Sequence, residues 1–262
     1  MESCSIGGIR TGSEMESKDN IIARKQRIQG MFNAIARRYD LLNHLLSGGV
    51  DFYWRRRGLG RVRCRAPQQI LDLATGTADF ALAAARQRPR RVVGVDVAID
   101  MLRLGAAKLR RRPPAVPIQL MGGDAEALPF RDQSFDLVIA AFGVRNFGHI
   151  PTGLAEAWRV LRPGGELLIL DFAEPEIPLF RQLYRFYFTR VLPLVGGLVS
   201  GQRQAYAYLP ASVGTFPQGG AFLELLDGAG FVDNLHTSFT LGVCALYQGF
   251  RPPAVQIDAK EV

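Results

Sequence analysis

The chain has 262 residues, 48% hydrophobic and 21% charged, with 32 lysines and arginines against 24 acids for a formal net charge of +8. Those figures exclude a disordered chain and a collagen-like repeat, and the length suits one α/β domain with decorations. Cys4, Cys64 and Cys244 are far apart and form no CxxC spacing, which argues against a disulfide framework and a zinc site and predicts a reducing compartment. The positive balance favours anionic surfaces such as phospholipid headgroups or nucleic acid. Only Lys18, Lys25, Lys108 and Lys260 are lysines, however, and an arginine bias of that kind reads more simply as coding preference.

Residues 1–20 are polar and carry Glu2, Glu14, Glu16 and Asp19, so a disordered tail is expected there, with no signal or transit peptide and with Met15 as a second candidate start. From Ile21 to Leu46 apolar residues recur at three and four (Ile28, Met31, Phe32, Ile35, Tyr39), predicting an N-terminal helical cap within residues 21–65. Five runs then read as buried strands: Gln69 to Ala74, Arg91 to Val95, Pro117 to Met121, Phe135 to Ala140 and Glu166 to Leu170. Helical patterns separate most of them, at Ala78 to Arg88, Ile99 to Arg112 and Thr152 to Leu161.

That alternation predicts a doubly wound, Rossmann-like α/β fold with a mostly parallel sheet. A helical insert from Ile177 to about Ser200 follows. It is broken by Arg181, Arg185, Arg190 and a proline, too polar to span a bilayer. A helix from Gly220 to Ala229 and two runs, Phe231 to Thr237 and Val243 to Phe250, complete the pattern as a C-terminal antiparallel hairpin on the sheet edge. The expected organisation is a single domain over 21–252, with a core at 66–172, a lid insert at 173–215, a closing helix and hairpin at 216–252, and a tail at 253–262.

In open α/β sheets ligands sit at the carboxyl ends of the strands. The first such end, Leu71 to Asp79, holds Asp72, Gly76 and Thr77; Gly76 permits a sharp turn and Thr77 offers a hydroxyl at the next helix start. One glycine and two acids are wrong for pyrophosphate and right for adenosine with a cationic tail, as in S-adenosylmethionine. Asp96 ends the second strand 20 positions after Gly76, where a carboxylate can accept from both ribose hydroxyls. Asp124, in Gly123 to Phe130 after the third strand, can accept from the adenine amino group, beside the Ala125 amide. After the fourth strand, Ala141 to Phe147 is apolar apart from Arg145 and Asn146, where an acceptor would meet the donor.

Two further stretches carry a family resemblance: Tyr39-Asp40-Leu41-Leu42-Asn43-His44-Leu45-Leu46-Ser47 with Trp54 beyond, and Arg159-Val160-Leu161-Arg162-Pro163-Gly164-Gly165-Glu166 continuing to Asp171-Phe172-Ala173. With Phe142 to Asn146 and Leu192-Pro193 through Tyr208-Leu209, they resemble the ubiquinone and menaquinone biosynthesis C-methyltransferases, within the class I S-adenosylmethionine-dependent methyltransferases, from about Gln26 to Phe250. Leu42, Asp51, Arg162, Asp171, Ala173 and Ala78 depart from the commoner residues, the last standing where glycine is frequent.

The resemblance implies a seven-stranded sheet, S-adenosylmethionine as methyl donor without a metal, and cofactor contacts at Thr77, Asp96, Asp124, Ala125 and Ala141, which join Asp72 and Gly76 of the first turn as the expected cofactor site. It implies methylation of a ring carbon in a lipid-soluble polyprenylated quinol, demethylmenaquinol or a methoxybenzoquinol. Arg145 and Asn146 would hold the quinol oxygen, and Tyr39, Asp40 and Asn43 would close over it; Asp40, His44 or a water are candidate bases, ahead of His149. The insert from Leu179 to Val199, with Phe180, Tyr184, Phe186, Tyr187 and Phe188, either lines the path of the isoprenoid tail or packs as a lid, its arginines meeting headgroups. The expected location is cytoplasmic, in peripheral contact with the inner membrane face, with a homodimer left open and no nucleic acid bound. The competing readings are another small-molecule methyltransferase, or a surface binder using Arg55, Arg56, Arg57, Arg61, Arg63 and Arg65.

Overall fold

Seven strands form one sheet in the computed structural model, which describes residues 22–36, 47–64, 66–191 and 203–254. They are β1 (Gln69–Leu73), β2 (Arg91–Asp96), β3 (Ile118–Gly122), β4 (Phe135–Ala141), β5 (Leu161–Phe172), β6 (Val232–Phe239) and β7 (Cys244–Phe250), in the order β3-β2-β1-β4-β5-β7-β6. The first five run parallel, and β7 is antiparallel to both β5 and β6. The chain winds outward from β1 to β3 and then restarts at β4 on the other side of β1. The switch point therefore lies between the carboxyl ends of β1 and β4, where such sheets open a crevice.

Helices cover both faces, so the central strands are apolar along their length. Leu71, Leu73, Val93, Val95, Val138, Ala140, Leu167 and Ile169 join one core with residues of α5 (Ile150–Val160) and α8 (Gly220–Gly228). The alternate residues Ile70, Val92, Leu137, Ile139, Leu168 and Leu170 form the opposite core with α2 (Val50–Leu59) and α3 (Asp79–Ala84). The period of two seen in these strands thus becomes two separate cores. Burying one such side chain is worth about 1.5–3 kcal/mol.

Several boundaries depart from those expected. The first helical stretch is described over 22–36 as α1, and α2 is a separate helix after a turn at Ser47–Gly49, an element the periodicity did not resolve. Helix α3 spans only Asp79–Ala84, tightens into a 3-10 turn at Ala85–Gln87 and stops at Arg88, which is left-handed before Pro89. Helix α5 starts at Ile150 rather than Thr152, because Pro151 fits a first turn that needs no donor. Strand β5 is longer at its start, with Leu161 paired to Phe135 across a register shift. Helix α4 (Ile99–Arg111) follows β2 as expected.

The insert begins as α6 (Pro178–Phe186), runs through a π-type turn at Tyr187–Val191 and resumes as α7 (Arg203–Thr215). The remainder of the expected insert helix, 192–200, lies outside the described residues, as do the tails at 1–20 and 255–262.

Candidate active site

The turn after β1 is built from buried polar groups. Asp72 is buried, and its carboxylate accepts the Thr75 hydroxyl at 2.6 Å, bracing the loop from below. Burial pushes the Asp72 carboxyl up to about 7, ahead of the opposing pull of the Thr75 bond and the Arg55 charge. Gly76 follows with φ +55, so the turn uses the freedom only glycine has cheaply. Ala78 is also left-handed, at φ 71, a conformation that glycine would adopt at less cost. Thr77 is buried, and the Lys108 ammonium donates to its hydroxyl at 3.1 Å.

Asp96 closes this turn from β2. One of its oxygens accepts the Gly76 N–H and the other the Ala98 N–H, each at 2.8 Å, and burial raises its carboxyl above the usual range. The Val97 backbone also bonds this carboxylate, which leaves acceptor capacity for a ligand hydroxyl. Asp124 is arranged similarly: Oδ1 accepts the Glu126 N–H at 2.9 Å, and Oδ2 accepts the ammonium of Lys25, on α1, at 2.7 Å. Lys25 also reaches Glu126 at 2.9 Å. Burial alone would lower the Lys25 ammonium, but the bonds to Asp124 and Glu126 outweigh it and raise it.

Two further ties hold α1 across the strand tips. Gln29 donates to the Val97 carbonyl at 2.6 Å, and the Asp100 N–H donates to Asn33 at 3.2 Å. Beneath α1 lies a cavity of about 380 Å³ whose wall includes Gly76, Asp96, Asp124, Ala125, Ala141 and Asn146. Phe32, Met101, Phe142 and Phe147 supply its apolar surface. A close backbone approach shapes one side: a Cβ on Gly143 would lie 2.4 Å from the Ala74 Cβ, so the turns after β1 and β4 can meet only with glycine there.

After β4, Phe142 is held at φ 60 and Val144–Asn146 form a 3-10 turn. The Asn146 side chain reaches the cavity wall, and the Tyr208 hydroxyl donates to its Oδ1 at 3.0 Å. That bond orients the amide so that its NH2 group is the donor left to a ligand. Arg145 points the other way. It is buried, paired to Asp171 at 2.7 Å, and its guanidinium also bonds the Phe142 carbonyl and the Ser212 hydroxyl and lies 5.4 Å over the Phe172 ring.

The structure thus gathers Gly76, Asp96, Asp124, Ala125, Ala141 and Asn146 around one cavity. Asp72, Thr77 and Arg145 are not among the residues lining it and instead hold the loops that are. Tyr39, Asp40, Asn43 and His44 lie outside the described residues. His149 is exposed at the start of α5, with its Nδ1 2.7 Å from the Thr152 hydroxyl, a position suited to capping. Sequence reasoning missed Lys25, Asp171 and Ser212, whose roles arise from pairings across long stretches of chain. Two arginines of the insert, Arg181 and Arg185, also bond their own chain. Arg181 donates to the Pro175 and Glu176 carbonyls, and Arg185 pairs with Glu174 at 2.6 Å.

A cavity of this size accepts a drug-sized ligand. Carboxylate acceptors at Asp96 and Asp124 over apolar walls suit an adenosine with hydroxyl and amino donors and a positive tail, so the residues present fit S-adenosylmethionine. Asp96 and Asp124 would hold the ribose and the adenine. Sheet order and cavity together define the Rossmann-like fold of the class I S-adenosylmethionine-dependent methyltransferases. The model of the ubiE/COQ5 methyltransferase family matches residues 20–251, and the chain belongs to that family.

Two relatives are similar over most of their length. The ubiquinone/menaquinone biosynthesis C-methyltransferase UbiE of Geobacter sulfurreducens is 47% identical over 226 residues, 86% of this chain and 88% of that protein. The demethylmenaquinone methyltransferase of Thermus thermophilus is 47% identical over 223 residues, 85% of this chain and 100% of that protein. Among solved structures, Haemonchus contortus phosphoethanolamine N-methyltransferase 2, in complex with S-adenosyl-L-methionine, is 16% identical with a TM-score of 0.53. That match covers 75% of this chain and 52% of the other and concerns the fold.

Proposed function

We propose that the protein transfers the methyl group of S-adenosylmethionine to a ring carbon of a polyprenylated quinol, with demethylmenaquinol as acceptor. The observation that carries this reading is the junction of the donor-sized cavity with the Gly143–Phe147 turn, where Asn146 meets the wall and Arg145 is locked behind it. The choice of a naphthoquinol draws support from the Thermus relative, whose name states that acceptor and whose whole length aligns. The Geobacter relative's name covers both quinone pathways and supports a methoxybenzoquinol as the second reading.

S-adenosylmethionine, when bound, supplies an electrophilic methyl carbon on a sulfonium. The ring carbon becomes nucleophilic when the neighbouring hydroxyl, ordinarily near pKa ~10, loses its proton. The Asn146 amide donates to that oxygen as its charge grows, and the fixed guanidinium of Arg145 adds positive potential from behind the wall. Asp40, His44 or a water is the candidate acceptor of that proton. Holding the acceptor carbon in line is worth about 7–11 kcal/mol of barrier in well-oriented systems.

The isoprenoid tail runs past Phe180, Tyr184, Tyr187 and Phe188 of the insert, each buried CH₂ contributing ~0.8 kcal/mol. The protein works at the cytoplasmic face of the membrane. Among the described residues no helix is long and apolar enough to cross it.

Purified protein, methyl-labelled donor and the two demethylated acceptors test the reading directly. Label should enter demethylmenaquinol about tenfold or more faster than the benzoquinol, a margin of ~1.4 kcal/mol in transition-state binding. Label in neither acceptor refutes a quinol substrate. Arg145→Lys keeps the charge but loses the fork that engages Asp171, Phe142 and Ser212. Turnover should fall about 10²-fold, the scale of one lost electrostatic contact, with donor affinity by calorimetry unchanged.

A further inference from the structure

We propose that the surface formed by the start of α2, the β6–β7 turn and the outer side of α6 docks onto an anionic phospholipid bilayer. The inference rests on the quinol reading above, because a polyprenylated acceptor is stored in the membrane.

Helix α6 is apolar on two sides. Tyr184 is buried on its inner side, followed by Phe188 in the next turn, whose ring lies 6.1 Å from Phe172. On its outer side Leu179, Leu183 and Phe186 are 79%, 64% and 60% exposed. Spacings of four and three place these three on one stripe. A helix apolar on both sides is expected to bury both. The inner side meets the protein, and the outer side requires a second apolar partner.

The stripe has neighbours of the same kind. The Trp54 indole donates to the Thr240 hydroxyl at 2.8 Å, tying α2 to the β6–β7 turn, where Leu241 is exposed. A Cβ on Gly242 would lie 3.1 Å from the Pro175 Cα, so the same turn abuts the segment leading into α6. On α2, Phe52 and Tyr53 are exposed next to the equally exposed Arg56 and Arg57, and Arg57 lies 5.9 Å over the Tyr53 ring.

This mixture identifies the partner. Aromatic rings and leucines beside arginines match the boundary between acyl chains and charged headgroups, where arginine stems lie along apolar surface and their heads stay wet. The cations are those of α2, since Arg181 and Arg185 are engaged by their own chain. Glu176 is an exposed acid close by, beside this excess of arginine. The overall charge of +8 gives the same preference for an anionic leaflet. The face also adjoins the site. Phe188, Phe172 and Trp54 form a run of rings with centroids about 6 Å apart, and Arg145 lies over Phe172.

The test is co-sedimentation of the full chain with vesicles of phosphatidylcholine alone or mixed with phosphatidylglycerol. Each sample is paired with turnover on a tail-less demethylated naphthoquinol in solution. The unsubstituted protein should bind the mixed vesicles. L179S/L183S should weaken that binding about tenfold or more. R56Q/R57Q should weaken it about thirtyfold, at roughly fivefold per arginine, and leave the weaker binding to phosphatidylcholine unchanged. Both variants should turn over the soluble acceptor at the unsubstituted rate.

Vesicle binding by either variant equal to that of the unsubstituted chain overturns the docking face. So does a chain that ignores vesicles but sediments as a dimer lost in L179S/L183S, which assigns the stripe to a second copy. Failure of the quinol reading shows separately, as absence of turnover on the soluble acceptor while the vesicle results hold.

Discussion

Asp96 braces the loop with both oxygens of one carboxylate and lines the cavity as well. Its two oxygens accept the Gly76 and Ala98 N–H groups, which fixes the carboxylate at the edge of the cavity. Asp96→Asn keeps one acceptor oxygen but turns the other into a donor. Calorimetry should therefore record about a tenfold to hundredfold loss of S-adenosylmethionine affinity, the range of one charge-assisted bond. Asp72, one strand away, acts through pH. Its carboxyl is raised from 3.8 to about 7 by burial, so the folded state holds a proton that the unfolded chain has already released. Stability is then fully present below the unfolded value and declines as pH rises toward 7. Asp72→Asn cannot ionise and should lack this decline. From pH 5 to pH 8 its stability relative to the unsubstituted protein should improve by on the order of 3 kcal/mol in urea unfolding. A constant difference across that range would refute the shift.

At the scale of elements, α1 covers the site, held by Lys25, Gln29 and Asn33 across the strand tips. Lys25→Met removes its ionic ties to Asp124 and Glu126. Pairs this exposed are worth about 0.2–1 kcal/mol each, so stopped-flow should show the donor leaving about threefold to tenfold faster. Added salt should produce the same change in the unsubstituted protein and little further change in the variant. The reason Lys25 was not legible beforehand is that its partner lies 99 residues away. Likewise Asp171 reads as the end of a strand until the fold sets it against Arg145. What was legible is what is local. Branched apolar runs marked the five parallel strands, and Asp96 and Asp124 after the second and third marked the cavity wall. Helix α2 escaped because its run Phe52-Tyr53-Trp54-Arg55-Arg56-Arg57 has no apolar stripe at helical spacing; Trp54 and Arg55 are buried by the sheet they pack on.

Across the whole molecule, the cavity joins parts that unfolding separates. Its wall takes residues from α1, from the tips of β1 to β3 and from the turn after β4. A ligand seated there touches all of them at once and has no counterpart site in the unfolded chain. Binding must therefore stabilise the fold by RT ln(1 + [L]/Kd), about 2.7 kcal/mol when the ligand is at a hundred times its Kd. For a chain of this size that corresponds to a rise of about 5–10 °C in Tm. S-adenosylmethionine at that excess should produce this rise, and Asp96→Asn at the same concentration should show about half or less, because its weaker affinity enters the logarithm directly. A nicotinamide dinucleotide at equal concentration should leave Tm within about 1 °C. Its pyrophosphate would face Asp96 and Asp124, where a glycine-rich loop and helix N-terminus would be required. A larger rise with the dinucleotide than with the sulfonium donor would mean that the carboxylates at the strand tips serve another ligand.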